Sequence, residues 1–332
     1  MARIGVIGAG SWGTALAKVL CENGHDVTVW ARRSELVAEL TAQHQSSDYL
    51  PGIVLPSNLR FTTDLEAATS EAAFVLLATP SHGLRAVTQQ LSSLSPSAIV
   101  ISSVKGIEAD TLLRMSQVLA TLLGESVPVV VLSGPSLAVE VAHHIPTAIV
   151  AAGNDLAAAK AVQEIFMNPY FRVYTHHDVI GVELGGALKN IIALAAGIVD
   201  GAGFGDNTKA ALMTRGLVEI TRLGAKLGAD PMTFAGLSGM GDLFVTCMSR
   251  KSRNRHVGEQ IGQGRKLQDI LSEMMMVAEG VRTTQAAYRL AQQHGVEMPI
   301  TAEVYRVLFE NKDAKQAVNA LMTREAKREK FG

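Results

Sequence analysis

The chain has 332 residues, of which 48% are hydrophobic and 18% charged, and its formal net charge is −1. This length is sufficient for two domains with large cores, and the composition argues against intrinsic disorder. A net charge near zero gives no general attraction to nucleic acid or to an anionic membrane. The two cysteines, Cys21 and Cys247, are too few for a disulfide framework and predict reduced thiols.

The N-terminus carries no signal-peptide pattern, because its apolar run is only four residues long and leads directly into a glycine-rich turn. The longest apolar stretch, residues 191–199, is far shorter than the roughly 20 residues that a membrane span requires. We therefore expect a soluble cytoplasmic protein with no membrane span.

The N-terminal residues predict a strand, a tight turn, a helix and a second strand. Residues 4–7 are apolar, residues 8–13 match G-x-G-x-x-G, residues 14–23 have helical spacing and residues 26–30 again predict a strand. Glycines in such a turn let a pyrophosphate approach backbone N–H groups at a helix N-terminus. The pattern predicts a dinucleotide site at Gly8, Gly10 and Gly13.

Two arginines follow the second predicted strand. An NAD site usually has an acidic residue about 20 residues after the glycines, to bind the ribose hydroxyl groups. This chain instead has Arg32 and Arg33. Arginines favour a ribose that carries a 2′-phosphate, so NADPH is preferred over NADH, with NADH remaining possible.

Further apolar runs alternate with helical patterns up to about residue 178, and helical patterns alone follow. Alternating strands and helices predict a parallel, doubly wound sheet covered on both faces. We therefore predict an α/β protein: a Rossmann-like NAD(P)-binding domain over residues 1–178 and an all-helical substrate domain over residues 179–332. The predicted strands after the first two are residues 73–78, 98–102, 127–132 and 147–151.

Polar residues follow several of these strands, where ligands bind in doubly wound sheets. Lys105 lies after the fourth predicted strand, and Gly134 and Ser136 lie after the fifth. An exposed loop lysine usually has no function, and Ser-Gly-Pro-Ser is also common turn chemistry. The residues alone therefore leave open whether Lys105, Gly134 and Ser136 bind a ligand or are ordinary loop residues.

Residues 182–197 are nearly all small or apolar and predict a buried helix with Lys189 and Asn190 near its middle. Burial lowers the pKa of a lysine, which suits a group that donates or accepts a proton. The alternative is a lysine that reaches solvent from a partly exposed helix.

Two further segments contain candidate binding residues. The segment 236–243 has three glycines before Asp242, which is either a ligand-binding residue or only a helix cap. The segment 250–255 has four cations, and its Ser252, Arg253 and Asn254 have the chemistry of a phosphate cradle. Such a run is more commonly a solvated face, and the absence of interleaved aromatic residues argues against nucleic acid. No spacing of histidines or cysteines predicts a metal site.

Taken in order, these motifs resemble the bacterial-type NAD(P)-dependent glycerol-3-phosphate dehydrogenases over essentially the whole chain. The residues that carry the resemblance are GAGSWGTALA at 8–17, SVKGIE at 103–108, LSGPS at 132–136, VELGGALKN at 182–190, GLSGMGDL at 236–243, SRNR at 252–255 and AEG at 278–280.

The resemblance implies reduction of dihydroxyacetone phosphate to sn-glycerol 3-phosphate, a precursor of glycerophospholipids. It implies that Lys189 is the proton donor and acceptor at the substrate oxygen. It implies a substrate site of Lys105, Gly134, Ser136, Asp242, Ser252, Arg253 and Asn254. It implies cofactor contacts from Ser11, Trp12, Arg32, Arg33, Lys105, Ala138, Arg253, Val277 and Glu279.

Two other functions compete with this interpretation. One is a dehydrogenase of the same two-domain build that acts on a hydroxy acid or a sugar acid. The other is a non-catalytic NADPH sensor, which the lysine in a buried helix disfavours. We also expect a homodimer, because the helical domain carries much apolar surface, although the sequence locates no interface.

Overall fold

The structure is a computed structural model that describes residues 1–91, 94–274, 276–326 and 328–329. The last three residues of the predicted second domain, 330–332, lie outside the described residues. The chain forms two compact units, which we call the sheet unit and the helical unit. Of the described residues, the sheet unit comprises those within 1–104 and 115–179, and the helical unit comprises 105–114 and those from 180 to 329.

Eight strands form one sheet in the order β3-β2-β1-β4-β5-β6-β7-β8. They are β1 (Arg3–Ile7), β2 (Asp26–Trp30), β3 (Arg60–Thr62), β4 (Phe74–Leu77), β5 (Ile99–Ser102), β6 (Val129–Ser133), β7 (Thr147–Gly153) and β8 (Phe171–His176). The first six have the strand order of a dinucleotide-binding fold. The predicted doubly wound sheet is therefore confirmed.

The pairing of β6 with β7 is antiparallel, whereas every other strand pair in this sheet is parallel. The apolar runs of the sequence predict parallel strands throughout, which is wrong for β7, and they do not identify β3 or β8. The strand β3 has only three residues, and β8 alternates buried and exposed positions, unlike the continuous apolar run of β4. An alternating strand has one covered face, so its apolar pattern is weaker than that of a strand buried on both faces.

Helices cover the sheet and bury a core that includes Ile4, Leu16, Val29 and Phe166. The helices of the sheet unit are α1 (Ser11–Glu22), α2 (Ser34–Gln43), α3 (Leu65–Thr69), α4 (Leu84–Thr88), α5 (Met115–Leu123), α6 (Ala138–Ala142) and α7 (Leu156–Phe166). Short 3₁₀ turns occur at Ser81–Gly83 and, in the helical unit, at Pro231–Ala235.

The helical unit is built around α8 (Val179–Gly201), in which every residue from 181 to 199 is buried. The others are α9 (Asp206–Lys226), a π-helical turn at Leu237–Gly241, α10 (Asp242–Met248), α11 (Arg253–Gly262), α12 (Leu267–Ser272), α13 (Glu279–Gln293), α14 (Pro299–Phe309) and α15 (Ala314–Met322). This arrangement confirms the predicted all-helical second region.

By length and apolar composition α8 is long enough to cross a membrane, although its longest unbroken apolar run, residues 191–199, is short. In the fold, 94% of its most apolar window is covered by protein. A helix that is apolar on all sides is suited equally to a protein core and to a bilayer, and here the covering elements belong to the protein.

The ten residues 105–114, which we call the inserted segment, depart from the predicted division at residue 178 because they pack within the helical unit. Ile107 joins the apolar core around α8, and Arg114 forms an ion pair with Glu183 of that helix. Arg289 of α13 also donates a hydrogen bond of 2.8 Å to the carbonyl oxygen of Ala109. The sequence could not reveal this packing, since the segment lies between two elements of the sheet unit.

Candidate active site

The glycine turn, residues 8–13, connects β1 to α1 in the sheet unit. A Cβ on Gly13 would lie 2.0 Å from the carbonyl oxygen of Gly8, and Gly8 itself has φ of +120°. Both positions therefore require glycine for the tight packing of the strand end against the helix. At Gly10, which precedes α1, an added Cβ would meet nothing within 4 Å. The turn thus leaves open space beside backbone at the start of a helix, which is the shape that a pyrophosphate needs.

The candidate cofactor-binding side chains near this turn and after β2 differ in how many contacts they make with the rest of the protein. Ser11 donates a hydrogen bond of 2.7 Å to the carbonyl oxygen of Tyr49, and Trp12 is half-buried against the core. Arg33 donates to the hydroxyl of Tyr49 over 3.3 Å and lies 3.8 Å from Asp48. Arg32 is exposed, and among the described residues no group is paired with its guanidinium. Arg32 is therefore the more available of the two for an anion.

Gly134, Ser136 and Ala138 follow β6 in the same unit. Gly134 has φ of +142°, and its carbonyl oxygen accepts a hydrogen bond of 3.0 Å from the Ser136 hydroxyl. Ala138 begins α6 and packs against the core of the unit. Gly134 and Ser136 thus follow the carboxyl end of β6, as predicted from the sequence.

In the helical unit, α8, α10 and the inserted segment bring together four side chains that we call the lysine cluster: Lys105, Lys189, Asp242 and Thr246. The Lys189 ammonium donates to Oδ1 of Asp242 and, over 2.6 Å, to the Thr246 hydroxyl. The Lys105 ammonium donates to the other carboxylate oxygen of Asp242 over 2.5 Å. Asp242, which is 1% exposed, therefore holds two ammonium groups at once.

Burial lowers the pKa of Lys189 to about 8. The Asp242 carboxylate opposes this change, whereas the positive charge of Lys105 adds to it. An amine with a pKa close to neutrality exchanges a proton readily in either direction, so Lys189 is suited to general acid–base chemistry. The alternative of a solvent-reaching lysine does not apply, since only 6% of the residue is exposed.

Thr246 is a further member of this cluster that was not predicted from the sequence. Its hydroxyl accepts a hydrogen bond from Lys189 and donates one of 2.6 Å to the backbone carbonyl oxygen of Asp242. Its position could have been inferred from the sequence, because Thr246 lies four residues after Asp242 and residues four apart on a helix share one face. The neighbouring Cys247 is buried, and burial raises the pKa of its thiol to about 12, so it remains neutral beside the cluster.

The N-terminus of α11 carries the three candidate phosphate-binding residues. The Ser252 hydroxyl accepts from the backbone N–H of Arg255 over 3.2 Å and thereby caps the helix. Arg253 begins the helix and is exposed, whereas Asn254 is buried. The Asn254 amide donates to Asn190 and accepts from the backbone N–H of Gly280, each over 2.9 Å. Asn254 thus connects α11 to the residue beside Lys189.

Close helix packing holds α11 against α8. A Cβ on Gly197 would lie 2.0 Å from the carbonyl oxygen of Arg255, and one on Gly258 would lie 2.0 Å from that of Leu194. The Arg255 guanidinium also donates to the Asp200 carboxylate over 2.8 Å. Glycines at these two contacts permit the close approach that fixes the start of α11 relative to Lys189.

The other predicted cofactor residues of the helical unit lie at the start of α13. Val277 is half-buried in the loop before the helix, and Glu279 is its first residue. Although Arg253 is exposed as a whole residue, protein atoms around its guanidinium lower the pKa of that group, and the nearby Glu279 carboxylate opposes this change. The helical unit therefore brings Lys105, Lys189 and Asp242 into contact, and it joins Asn254 to Gly280 next to Glu279.

Comparison with known proteins identifies the family. The family model described as NAD-dependent glycerol-3-phosphate dehydrogenase N-terminus matches residues 3–159, and the corresponding C-terminus model matches residues 178–319. The chain is 57% identical over 332 residues to glycerol-3-phosphate dehydrogenase (NAD(P)+) of Geobacter sulfurreducens, covering 99% of each chain. It is 55% identical to the protein of the same name from Lysinibacillus sphaericus, covering 99% of this chain and 98% of that one.

A crystal structure of glycerol-3-phosphate dehydrogenase from Coxiella burnetii has the same fold, with a TM-score of 0.94 and 40% identity. The alignment covers 97% of this chain and 99% of that chain. Two family models that together span most of the sequence, and relatives of this identity and coverage, leave no ambiguity about the family. The chain belongs to the NAD-dependent glycerol-3-phosphate dehydrogenase family.

Proposed function

We propose that this protein reduces dihydroxyacetone phosphate to sn-glycerol 3-phosphate, using NADPH in preference to NADH, with Lys189 as the proton donor. The observation that carries the proposal is the lysine cluster, in which a buried ammonium with a lowered pKa is held by Asp242. The names of the relatives agree with this activity and with a nicotinamide cofactor.

The residues of the sheet unit fit a dinucleotide. The open space at Gly10 accommodates a pyrophosphate, and the available guanidinium of Arg32 suits a 2′-phosphate. We assign further cofactor contacts to Gly8, Gly13, Ser11, Trp12, Arg33 and Ala138 in the sheet unit and to Lys105, Arg253, Val277 and Glu279 in the helical unit. The bound cofactor supplies the hydride, whereas residues of the protein bind and orient the substrate and transfer the proton.

Lys189 acts on the substrate oxygen. As the ketone is reduced, negative charge develops on its oxygen, and the Lys189 ammonium stabilises this charge and donates a proton to it. Asp242 keeps the ammonium charged and oriented until then, and Thr246 accepts a second of its N–H groups. Lys105 adds positive potential to the site. In the reverse direction the neutral Lys189 amine accepts the proton from the substrate hydroxyl.

We assign the phosphate of the substrate to Arg253 and to the capped N-terminus of α11. A guanidinium can form paired hydrogen bonds with phosphate oxygens, and a helix N-terminus favours an anion. Ser252 and Asn254 support this end of the helix through their contacts with Arg255, Asn190 and Gly280. Gly134 and Ser136, which follow β6, complete the proposed set of substrate-binding residues. Remote binding of the phosphate orients the ketone for reaction.

We also propose a cytoplasmic homodimer that supplies glycerol 3-phosphate for glycerophospholipid synthesis. Both cysteines are free and buried, which agrees with a reducing compartment. The helical unit exposes apolar side chains at Met232, Phe244 and Met248, which suit an interface. Sedimentation velocity at micromolar concentration tests the dimer, and a monomer at all concentrations would contradict it.

The decisive experiment follows NADPH oxidation by its absorbance with a panel of substrates. Turnover with dihydroxyacetone phosphate and none with free hydroxy acids or sugar acids supports the proposal. Turnover only with a hydroxy acid or its keto form would establish the rival dehydrogenase. NADPH binding without turnover of any panel member would instead establish a nucleotide sensor.

A further inference from the structure

The inserted segment delivers Lys105 to the lysine cluster, and its other end is held by an ion pair that the chemistry described above does not use. The Arg114 guanidinium donates to the Glu183 carboxylate over 2.5 Å. The side chain of Glu183 is 4% exposed and that of Arg114 is 16% exposed. Glu183 lies on α8, six positions before Lys189. The same helix therefore carries both the proposed acid and the anchor of the inserted segment.

Backbone pairing joins the two ends of the inserted segment. Arg114 forms an isolated antiparallel bridge with Ile107, two residues after Lys105. The backbone N–H of Glu108 donates to the carbonyl oxygen of Leu113 over 3.0 Å. Ile107 is 3% exposed and packs in the core of the helical unit. The backbone pairing therefore joins the Arg114 end of the inserted segment to Ile107, two residues from Lys105.

We propose that the Arg114–Glu183 ion pair is a positioning device that keeps the ammonium of Lys105 on Asp242, beside Lys189. This inference rests on the proposed function, because it concerns how the acid of that reaction is maintained. Neither Arg114 nor Glu183 is assigned to the reacting atoms, and both act through Lys105. An ion pair of this degree of burial contributes little net stability, because desolvation offsets most of its attraction, but it defines one geometry.

The position of Lys105 matters because its charge acts on Lys189. The titratable groups that act on the Lys189 ammonium are Asp242, Lys105 and the Cys247 thiol, and of these only Lys105 lowers the pKa of Lys189. If Lys105 moves away, Lys189 loses a neighbouring positive charge and no longer shares the Asp242 carboxylate. Both changes stabilise the ammonium, so the pKa of Lys189 rises.

The test compares Arg114→Met and Glu183→Gln with Arg114→Lys and with the control Arg306→Met. Arg306 forms an ion pair of 2.5 Å with Glu303 elsewhere in the helical unit, so its loss reports the general effect of removing such a pair. The first measurement is the pH profile of kcat for dihydroxyacetone phosphate reduction. The second is the rate at which a trace of acetic anhydride acetylates Lys105 in the protein without substrate or cofactor.

The charged Lys189 is the acid, so kcat falls as pH rises through its pKa. In Arg114→Met and Glu183→Gln we expect this fall to move upward by about half a pH unit. We expect kcat to fall about tenfold, less than for loss of a group that touches the oxyanion, with KM changing less. Acetylation of Lys105 should become faster in both variants. In Arg114→Lys, the pH profile and the acetylation rate should lie between those of these variants and the wild type. In Arg306→Met, both should match the wild type.

The inference is overturned if either variant shows lower thermal stability with an unchanged pH profile and unchanged Lys105 acetylation. Arg114→Lys and Glu183→Gln keep the charge or the shape of the residue they replace, so they provide the test if Arg114→Met does not fold. The two proposals fail separately. Absence of turnover in the wild type would contradict the proposed function, whereas Lys105 acetylation tests the positioning role without any turnover.

Discussion

In the sheet unit the glycine turn presents backbone to open space, whereas in the helical unit Lys189 is enclosed by side chains. Nothing lies within 4 Å of a Cβ added at Gly10, and Arg32 is exposed. Lys189, by contrast, is 6% exposed and shares a 1% exposed carboxylate with a second lysine. The first region has the open shape that we propose receives a large anion, and the second lowers the pKa of one buried amine.

This contrast explains why the two regions tolerate change differently. If the turn binds the nucleotide as proposed, its affinity depends on the open space at Gly10 and on the exposed charge of Arg32, so substitutions there should alter nucleotide binding and selectivity. In the lysine cluster each polar side-chain atom already has a partner. Removing one partner therefore leaves a buried charge without compensation, and this changes the pKa of Lys189. Substitutions at the cluster should therefore alter rate and pH dependence more than nucleotide binding.

The largest expected effect is that of Lys189→Ala. Loss of a general acid typically costs 10²–10⁴-fold, so we expect kcat to fall by about 10³-fold while NADPH binding, measured by fluorescence titration, is retained. The matched control is Lys18→Ala in the sheet unit, which removes another buried lysine that is paired with a carboxylate, here Glu22 at 2.5 Å. Near-normal turnover in Lys189→Ala would remove this residue from the mechanism.

The next effect is that of Asp242→Asn, which leaves two ammonium groups without their shared counter-charge. We expect the pKa of Lys189 to fall below its wild-type value of about 8. Because the ammonium is the acid, the loss of kcat at high pH then begins at lower pH, and kcat itself falls about 10²-fold.

This shift is opposite in direction to the one expected for Arg114→Met, so the two variants together report the balance of charge at Lys189. Glu303→Gln is the control, since Glu303 is another buried, paired carboxylate of the helical unit. An unchanged or upward shift in Asp242→Asn would contradict the assignment of Lys189 as the titrating acid.

In the sheet unit, Arg32→Asp should change cofactor selectivity. A charged hydrogen bond contributes about 1.5–3 kcal/mol, so the ratio of kcat/KM for NADPH to that for NADH should fall about 10- to 100-fold. Arg33→Asp should have a smaller effect, because Arg33 is already engaged by Tyr49 and Asp48. Equal selectivity in Arg32→Asp and the wild type would place the 2′-phosphate elsewhere.

The smallest expected effect is that of Gly10→Ala. Gly10 has φ of −74° and open surroundings, so the protein should fold with an unchanged Tm. The added methyl group occupies the space assigned to the pyrophosphate, so NADPH should bind about tenfold more weakly, a change of about 1.4 kcal/mol.

Gly83→Ala is the matched control for this variant, since Gly83 also has negative φ and open surroundings but lies outside the turn. If the two alanine variants bind NADPH equally well, the open space at Gly10 does not receive the nucleotide.

The sequence was most informative where structure depends on neighbouring residues. The glycine turn, the first two strands and the buried helix α8 could all be identified from local patterns, because glycine spacing and apolar runs determine them directly. Strands β3 and β8 were not identified, since a three-residue strand and an alternating strand carry weak patterns. The antiparallel direction of β7 relative to β6 also has no local signal.

Residue types and motif order by themselves determined the family resemblance, the candidate residues, and the α/β and all-helical classes of the two domains. Only the tertiary structure decided which of those residues meet. It placed Lys105 on Asp242 by packing the inserted segment into the helical unit, added Thr246 to the cluster and directed the Asn254 amide to Asn190 and Gly280. The physical reason is that the pKa of Lys189 depends on burial and on charges distant in sequence, which no local pattern encodes.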